Sequence, residues 1–187
     1  MSRWSTQGIQ IGSLNIRGFT YLKLLLLLEQ EHVDILCLQE TWISEGTAAP
    51  VLEGFALVEQ RRPGSTRGGI ATFVRKPLQI ESTQGNEYGL HTKIILPNSL
   101  QINIVNTYIP PKTSLAKRHI HEADATTLIE LLLDTLQPQL TTFICGDFNT
   151  RTGTKIPDLE CEHPPRDSVD SHVCQRATWL LKLCETY

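Results

Sequence analysis

Strand-like and helix-like runs follow one another along this chain in an order that few architectures accept. Ile9–Ile16 reads as a strand, Tyr21–His32 as a Leu-rich helix and Val33–Gln39 as a buried strand. Phe55–Arg61 and Gly69–Arg75 read as two strands around a turn that holds Pro63, Gly64 and Gly68. His91–Leu96 and Leu100–Tyr108 form a hairpin signal closed by Pro97-Asn98-Ser99, and Pro110 and Pro111 end the second of them. His119–Leu136 reads as a helix with its apolar face near Ile120, Ala123, Leu128, Leu131 and Leu132, and Pro138 closes it. Thr141–Gly146 is the next strand and Arg176–Glu185 a final helix. Strands at both ends of a run of strands, with helices interleaved, predict a layered α/β (α+β) domain rather than a bundle or a repeat array. The polar stretch Thr150–Ser171 is long for a connection without structure of its own, which predicts a functional or mobile segment.

The bulk properties narrow the function classes. With 187 residues, the chain predicts one domain, or a larger domain that is incomplete; at 40% hydrophobic it holds enough apolar surface for a sizeable core. A net charge of −3 gives no global basic footprint for nucleic acid. Such contacts would have to come from local groups, Arg61, Arg62 and Arg67 or Lys112, Lys117 and Arg118, which by themselves read as solvated surface. The apolar run Leu24–Leu28 is far short of the roughly 20 residues that cross a bilayer, and Met1-Ser2-Arg3-Trp4 opens no secretory signal. The expectation is a soluble intracellular protein with no membrane partner. Five cysteines without a Cys-x-x-Cys pair fit a reducing compartment, with Cys37 and Cys145 as small buried hydrophobes. Cys161, Glu162, His163, His172 and Cys174 gather in one region, but their spacing matches no standard zinc pattern.

Chemistry collects at the strand ends. Asn15 closes the first strand, Glu40 follows the second, Asn106 and Tyr108 close Leu100–Tyr108, and Asp147 and Asn149 follow Thr141–Gly146. Side chains alternate along a strand, so Asp147 and Asn149 point one way and Phe148 the other. Gly146 leaves space beside the acid. If these strands share an edge, Glu40 and Asp147 meet across a long sequence separation. Two carboxylates with flanking carboxamides make an oxygen-rich site suited to a hard cation such as Mg²⁺, which can polarise a phosphoryl oxygen. Taken singly, each residue has a plainer reading: an Asx-type turn at Asp147, a surface acid at Glu40, a turn residue at Asn15, a half-buried aromatic at Tyr108.

Ser13-Leu14-Asn15-Ile16-Arg17-Gly18, Leu38-Gln39-Glu40-Thr41, Gly68-Gly69-Ile70-Ala71, Asn106-Thr107-Tyr108-Ile109-Pro110 and Gly146-Asp147-Phe148-Asn149 occur in that order over nearly the whole chain. Together they resemble the endonuclease/exonuclease/phosphatase superfamily, and most closely the apurinic-like endonuclease domains of non-LTR retrotransposons. The resemblance implies a DNase I-like four-layer α/β sandwich, a divalent cation (Mg²⁺ or Mn²⁺) and DNA as substrate, with a nuclear location if the chain is part of a retroelement. It implies Glu40 as the metal-binding glutamate and Asn15 as the amide supporting that site. It implies Tyr108 on the scissile phosphate, Asp147 as the acid that orients or deprotonates the attacking water, and Asn149 as its neighbour on the phosphate.

Two departures qualify it. Arg17 stands where some members carry an acid, and the family's terminal strands, one with an aspartate and one with Ser-Asp-His, have no counterpart before Tyr187. The expectation is one domain spanning 1–187 that lacks the C-terminal part of the fold. Its second sheet would be incomplete, with an edge open to a partner chain or a second copy, and its cleavage weak or absent. Three readings remain open: a truncated nuclease, a degenerate remnant kept as a binding module, and half of a split enzyme.

Overall fold

The computed structural model describes residues 8–25, 32–153 and 172–187. The chain divides into two compact units, Met1–Phe148 and Asn149–Tyr187. Residues 154–171, including Cys161, Glu162, His163 and nearly all of the long polar stretch, lie outside the described residues.

The first unit holds two four-stranded sheets. In one, β1 (Ile11–Asn15) runs parallel to β2 (Ile35–Gln39), β2 antiparallel to β4 (Ile70–Arg75), and β4 antiparallel to β3 (Phe55–Gln60). In the other, β5 (Gln79–Gly85), β6 (Gly89–Ile95) and β7 (Gln101–Tyr108) form an antiparallel meander, and β8 (Thr141–Asp147) adds parallel to β7. A parallel pair needs a crossover, and each has helix in its connection. The first carries α1, helical over residues 21–25; the second carries α2 (Lys112–Ala116) and α3 (Glu122–Leu133).

Alternation along the strands sorts the apolar side chains into layers. Ile35, Cys37 and Val74 of the first sheet pack with Ile94, Ile102 and Ile104 of the second, which forms the core between the sheets. The other face of the first sheet, with Leu36, Leu38, Ala71 and Phe73, packs with Phe19 and Leu24 at the start of α1. On the far side, α3 buries Ala125, Ile129, Leu132 and Leu133, and a Cβ on Gly89 of β6 would come within 2.8 Å of Leu132. The order is helix, sheet, sheet, helix, the expected four-layer α/β sandwich. The second sheet, for which the sequence suggests missing strands, has four among the described residues, as many as the first.

Some local expectations need correction. The buried face of α3 agrees with the one anticipated only in part: Leu132 is buried, but Leu131 is 56% exposed and Ala123 faces solvent. Leu128, Ile129, Leu131, Leu132 and Leu133 stand almost side by side, and so dense an apolar run hides its own period. β5 went unanticipated because it is an edge strand of mostly exposed polar residues, with one shift of register between Ile80 and Ser82. The five-residue α2 is too short to show a period.

The second unit contains α4 (Gln175–Thr186), close to the expected helix. Cys174 precedes it, with its Sγ 3.0 Å from the Thr150 hydroxyl and receiving the Arg151 backbone N–H at 3.4 Å.

Candidate active site

Two parallel pairs define one end of the sandwich. Asn15 is in register with Gln39 at the end of β1 and β2, and Tyr108 with Asp147 at the end of β7 and β8. Below the site the sheets are fastened by a buried amide pair. The Gln39 side chain donates from Nε2 to Asn106 Oδ1 at 2.7 Å, and Asn106 Nδ2 donates to the Ala71 and Leu38 carbonyls at 3.0 and 3.2 Å. Asn106, noted in the sequence as a strand-end polar group, thus sits in the fold's interior with 0% exposure and its hydrogen-bonding capacity engaged. Sequence reasoning missed Gln39. Its signal was a glutamine at an inward position of a buried strand, which requires a partner.

Just above this pair, Asn15 joins the two candidate acids. Its Nδ2 donates to Glu40 Oε1 at 2.7 Å and to Asp147 Oδ2 at 2.6 Å, while its Oδ1 accepts the Arg17 backbone N–H at 3.2 Å. One carboxamide thereby holds carboxylates from both sheets, and the Arg17 contact fixes which way round the amide lies. Tyr108, 7% exposed, has its phenol beside Glu40. The phenol is pushed far above the ordinary tyrosine range, chiefly by burial and then by the negative charge of Glu40, with Asp147 adding to the effect. It stays protonated and is a donor.

The backbone is bent to present these groups. Glu40 and Trp42 both have φ of 54°, left-handed values unusual for residues with bulky side chains. Backbone bonds from three segments hold them: Gly18 N–H to the Glu40 carbonyl at 2.8 Å, Phe19 N–H to Thr41 at 2.7 Å, and Trp42 N–H to Gly68 at 2.9 Å. Gly146 precedes Asp147 with φ of 150°, and any Cβ there would collide with the Thr107 carbonyl and hydroxyl. Only glycine lets β8 lie this close to β7 before the acid.

The structure therefore brings Asn15, Glu40, Tyr108 and Asp147 together. Asn149 is the first residue of the second unit, exposed, with its carbonyl accepting from Arg176 at 3.3 Å. The arginine cluster separates into individual roles. Arg61 is clasped by Glu59 at 2.6 Å and by the Ser44 and Thr47 carbonyls, Arg62 pairs with Glu87 at 2.8 Å, and Arg67 lies over the Trp42 ring. Lys112 faces Glu122 at 3.7 Å and Arg118 faces Glu87 at 3.4 Å.

The donor set fits a hard divalent cation. Two half-buried carboxylates are held against one amide, with a phenol beside them and only oxygen donors among the charged groups. Like charges so placed repel, and a cation between them relieves that cost. Among the described residues no three His, Cys, Asp or Glu side chains converge into a protein-only cage.

A strand-order α/β sandwich with acids at the ends of two parallel pairs is the DNase I-like class. Residues 12–171 match the profile of the Endonuclease/Exonuclease/phosphatase family, and the chain belongs to that family. No curated protein sequence matches it. Among solved structures it is similar to the endonuclease domain of TRAS1, a telomere-specific non-LTR retrotransposon. The TM-score is 0.59 at 13% identity, over 76% of this chain and 61% of that one. The Xenopus laevis APE2 catalytic domain gives 0.59 at 18%, over 92% and 67%, and an AP endonuclease from Archaeoglobus fulgidus gives 0.54 at 16%, over 80% and 62%. At these identities the likeness is one of fold, and the chain spans 61% of the length of the TRAS1 domain.

Proposed function

We propose that the chain is a divalent-metal-dependent phosphodiesterase, a DNA endonuclease of retrotransposon type that works in the nucleus. The observation that carries this reading is the Asn15 carboxamide, which holds Glu40 and Asp147 from two different sheets within 2.7 Å of one nitrogen. Glu40 would hold the cation, Mg²⁺ or Mn²⁺, with Asn15 positioning it. When bound, the cation supplies charge stabilisation at the phosphoryl oxygens. Asp147 takes the proton of an attacking water or orients it, and Tyr108, kept protonated, donates to a phosphate oxygen. The open edges of the sheets are where a partner chain or a second copy would add.

The 187 residues contain no Ser-Asp-His triplet, and position 17 is arginine rather than an acid. Losing one transition-state donor costs on the order of 10²–10³ in rate, so cleavage by these residues alone is slow. Supercoiled plasmid incubated with Mg²⁺, Mn²⁺ or EDTA tests the reading. Slow nicking that needs the cation and disappears in Glu40→Gln and Asp147→Asn is expected. Nicking that persists in EDTA, or in both variants, would overturn it.

A further inference from the structure

Beside the two acids lies an aromatic surface that the proposed chemistry does not use. Trp42 is 37% exposed, and its indole Nε1 donates to Glu40 Oε2 at 3.3 Å. Its ring rests on Gly18, where an added Cβ would come within 2.8 Å of Cε3 and 3.2 Å of Cζ3. The Arg67 guanidinium carbon lies 5.5 Å from the ring centroid, and Arg67 itself is exposed. The indole is thus clamped at its polar edge by the carboxylate, floored by glycine backbone and accompanied by a cation. Its placement needs a left-handed backbone at a bulky residue, a conformation that tends to persist at functional sites. A tryptophan that served only as core filler would be buried, and one that served only to steer Glu40 would not need an arginine over its ring.

We infer that Trp42 and Arg67 form a nucleotide subsite next to the reacting phosphate, in which the indole stacks on an unpaired base and the guanidinium meets the adjoining phosphate. The inference rests on the endonuclease reading above and names the substrate contact of that site. Aromatic rings accept any base through its π face, and an arginine in the stack adds the charge complement of the backbone. The occupant is single-stranded or locally unpaired polynucleotide, because a base within an intact duplex has no free face to offer. The rigid tie to Glu40 sets the stacked base at a fixed distance from the site where the cation would be held.

Fluorescence anisotropy in EDTA, where nothing is cleaved, tests it with short labelled single-stranded oligodeoxynucleotides: one complete strand and a series that each carry a single abasic residue at a different position. Wild-type protein is expected to bind the complete strand about 5- to 150-fold more tightly than the most affected abasic strand. Trp42→Phe keeps a stacking ring but loses the bond to Glu40, and should retain that preference. Trp42→Leu should reduce it to near one. Arg67→Gln should weaken all the strands alike and flatten the dependence of log Kd on log salt by about 0.7. Glu40→Gln, which removes cleavage, should leave the base preference intact. An unchanged preference in Trp42→Leu would overturn the subsite while metal-dependent plasmid nicking leaves the endonuclease reading standing. A wild-type chain that neither binds the strands nor nicks plasmid would overturn both.

Discussion

Tyr108 shows how one side chain reports on the whole constellation. It is 7% exposed, and burial with two nearby acids, Glu40 first, raises its phenol pKa. Because the folded value lies above the unfolded one, near 10, the native state keeps a proton that the unfolded chain gives up. The stability that follows is complete below pH of about 10 and drains away as pH rises through the folded value. An alkaline ultraviolet titration of wild type minus Tyr108→Phe should therefore show a phenol ionising well above the ordinary range. The same difference taken in a Glu40→Gln background should move down, since the charge is removed; an unmoved titration would mean that burial alone sets it. The sequence made Asn15, Glu40, Tyr108 and Asp147 visible because each ends an apolar run, and strand ends gather at a sheet edge. It named Arg67 only as one of a surface cluster and gave Trp42 no role, because their pairing depends on a backbone turn that brings Gly68 to Trp42, which no local pattern announces.

At the scale of elements, the strands that carry the site were legible and the helix behind them was legible only in outline. β2 is buried on both faces and shows itself as a short apolar run, while β7, equally buried but interrupted by Asn103, Asn106 and Thr107, was found from the turn and the prolines that bound it. α3 was found by its length and its leucines, but of the adjacent Leu131 and Leu132, both placed on its apolar face, only Leu132 is buried, and the two make opposite predictions. Leu132, 2% exposed, should cost about 2–5 kcal/mol when cut to alanine. Leu131, 56% exposed, should accept glutamate within about 0.5 kcal/mol. Urea unfolding followed by circular dichroism separates them: the midpoint should fall for Leu132→Ala and hold for Leu131→Glu. A reversed order would mean that α3 buries Leu131 and exposes Leu132. The consequence reaches the site, because Leu132 packs against Gly89, which pairs with Thr107 beside Tyr108 on β7. Loosening α3 should therefore act on the strand that supplies the phenol.

At the scale of the molecule, stability and the candidate function oppose one another at the end of the sandwich. Asn15 draws two carboxylates from separate sheets to one nitrogen, and the charge brought together there is a cost that the folded state bears whenever no cation is present. Neutralising one acid should lower that cost, so Asp147→Asn is expected to melt at a higher temperature than wild type in EDTA. A cation that binds only the folded chain adds about 2.7 kcal/mol at a hundred times its Kd. For a chain of this size that corresponds to a rise of roughly 5–11 °C, taking about 2–4 °C per kcal/mol. Wild type should show this rise in Mg²⁺, and Asp147→Asn and Glu40→Gln should show much less of it, so that the order of melting temperatures narrows or inverts as magnesium is added. Differential scanning calorimetry with and without the cation measures both effects on the same samples. An equal magnesium shift in all three proteins would place the cation away from these acids. A wild type already more stable than Asp147→Asn in EDTA would show that the amide and its neighbours bind the second charge more strongly than the first repels it.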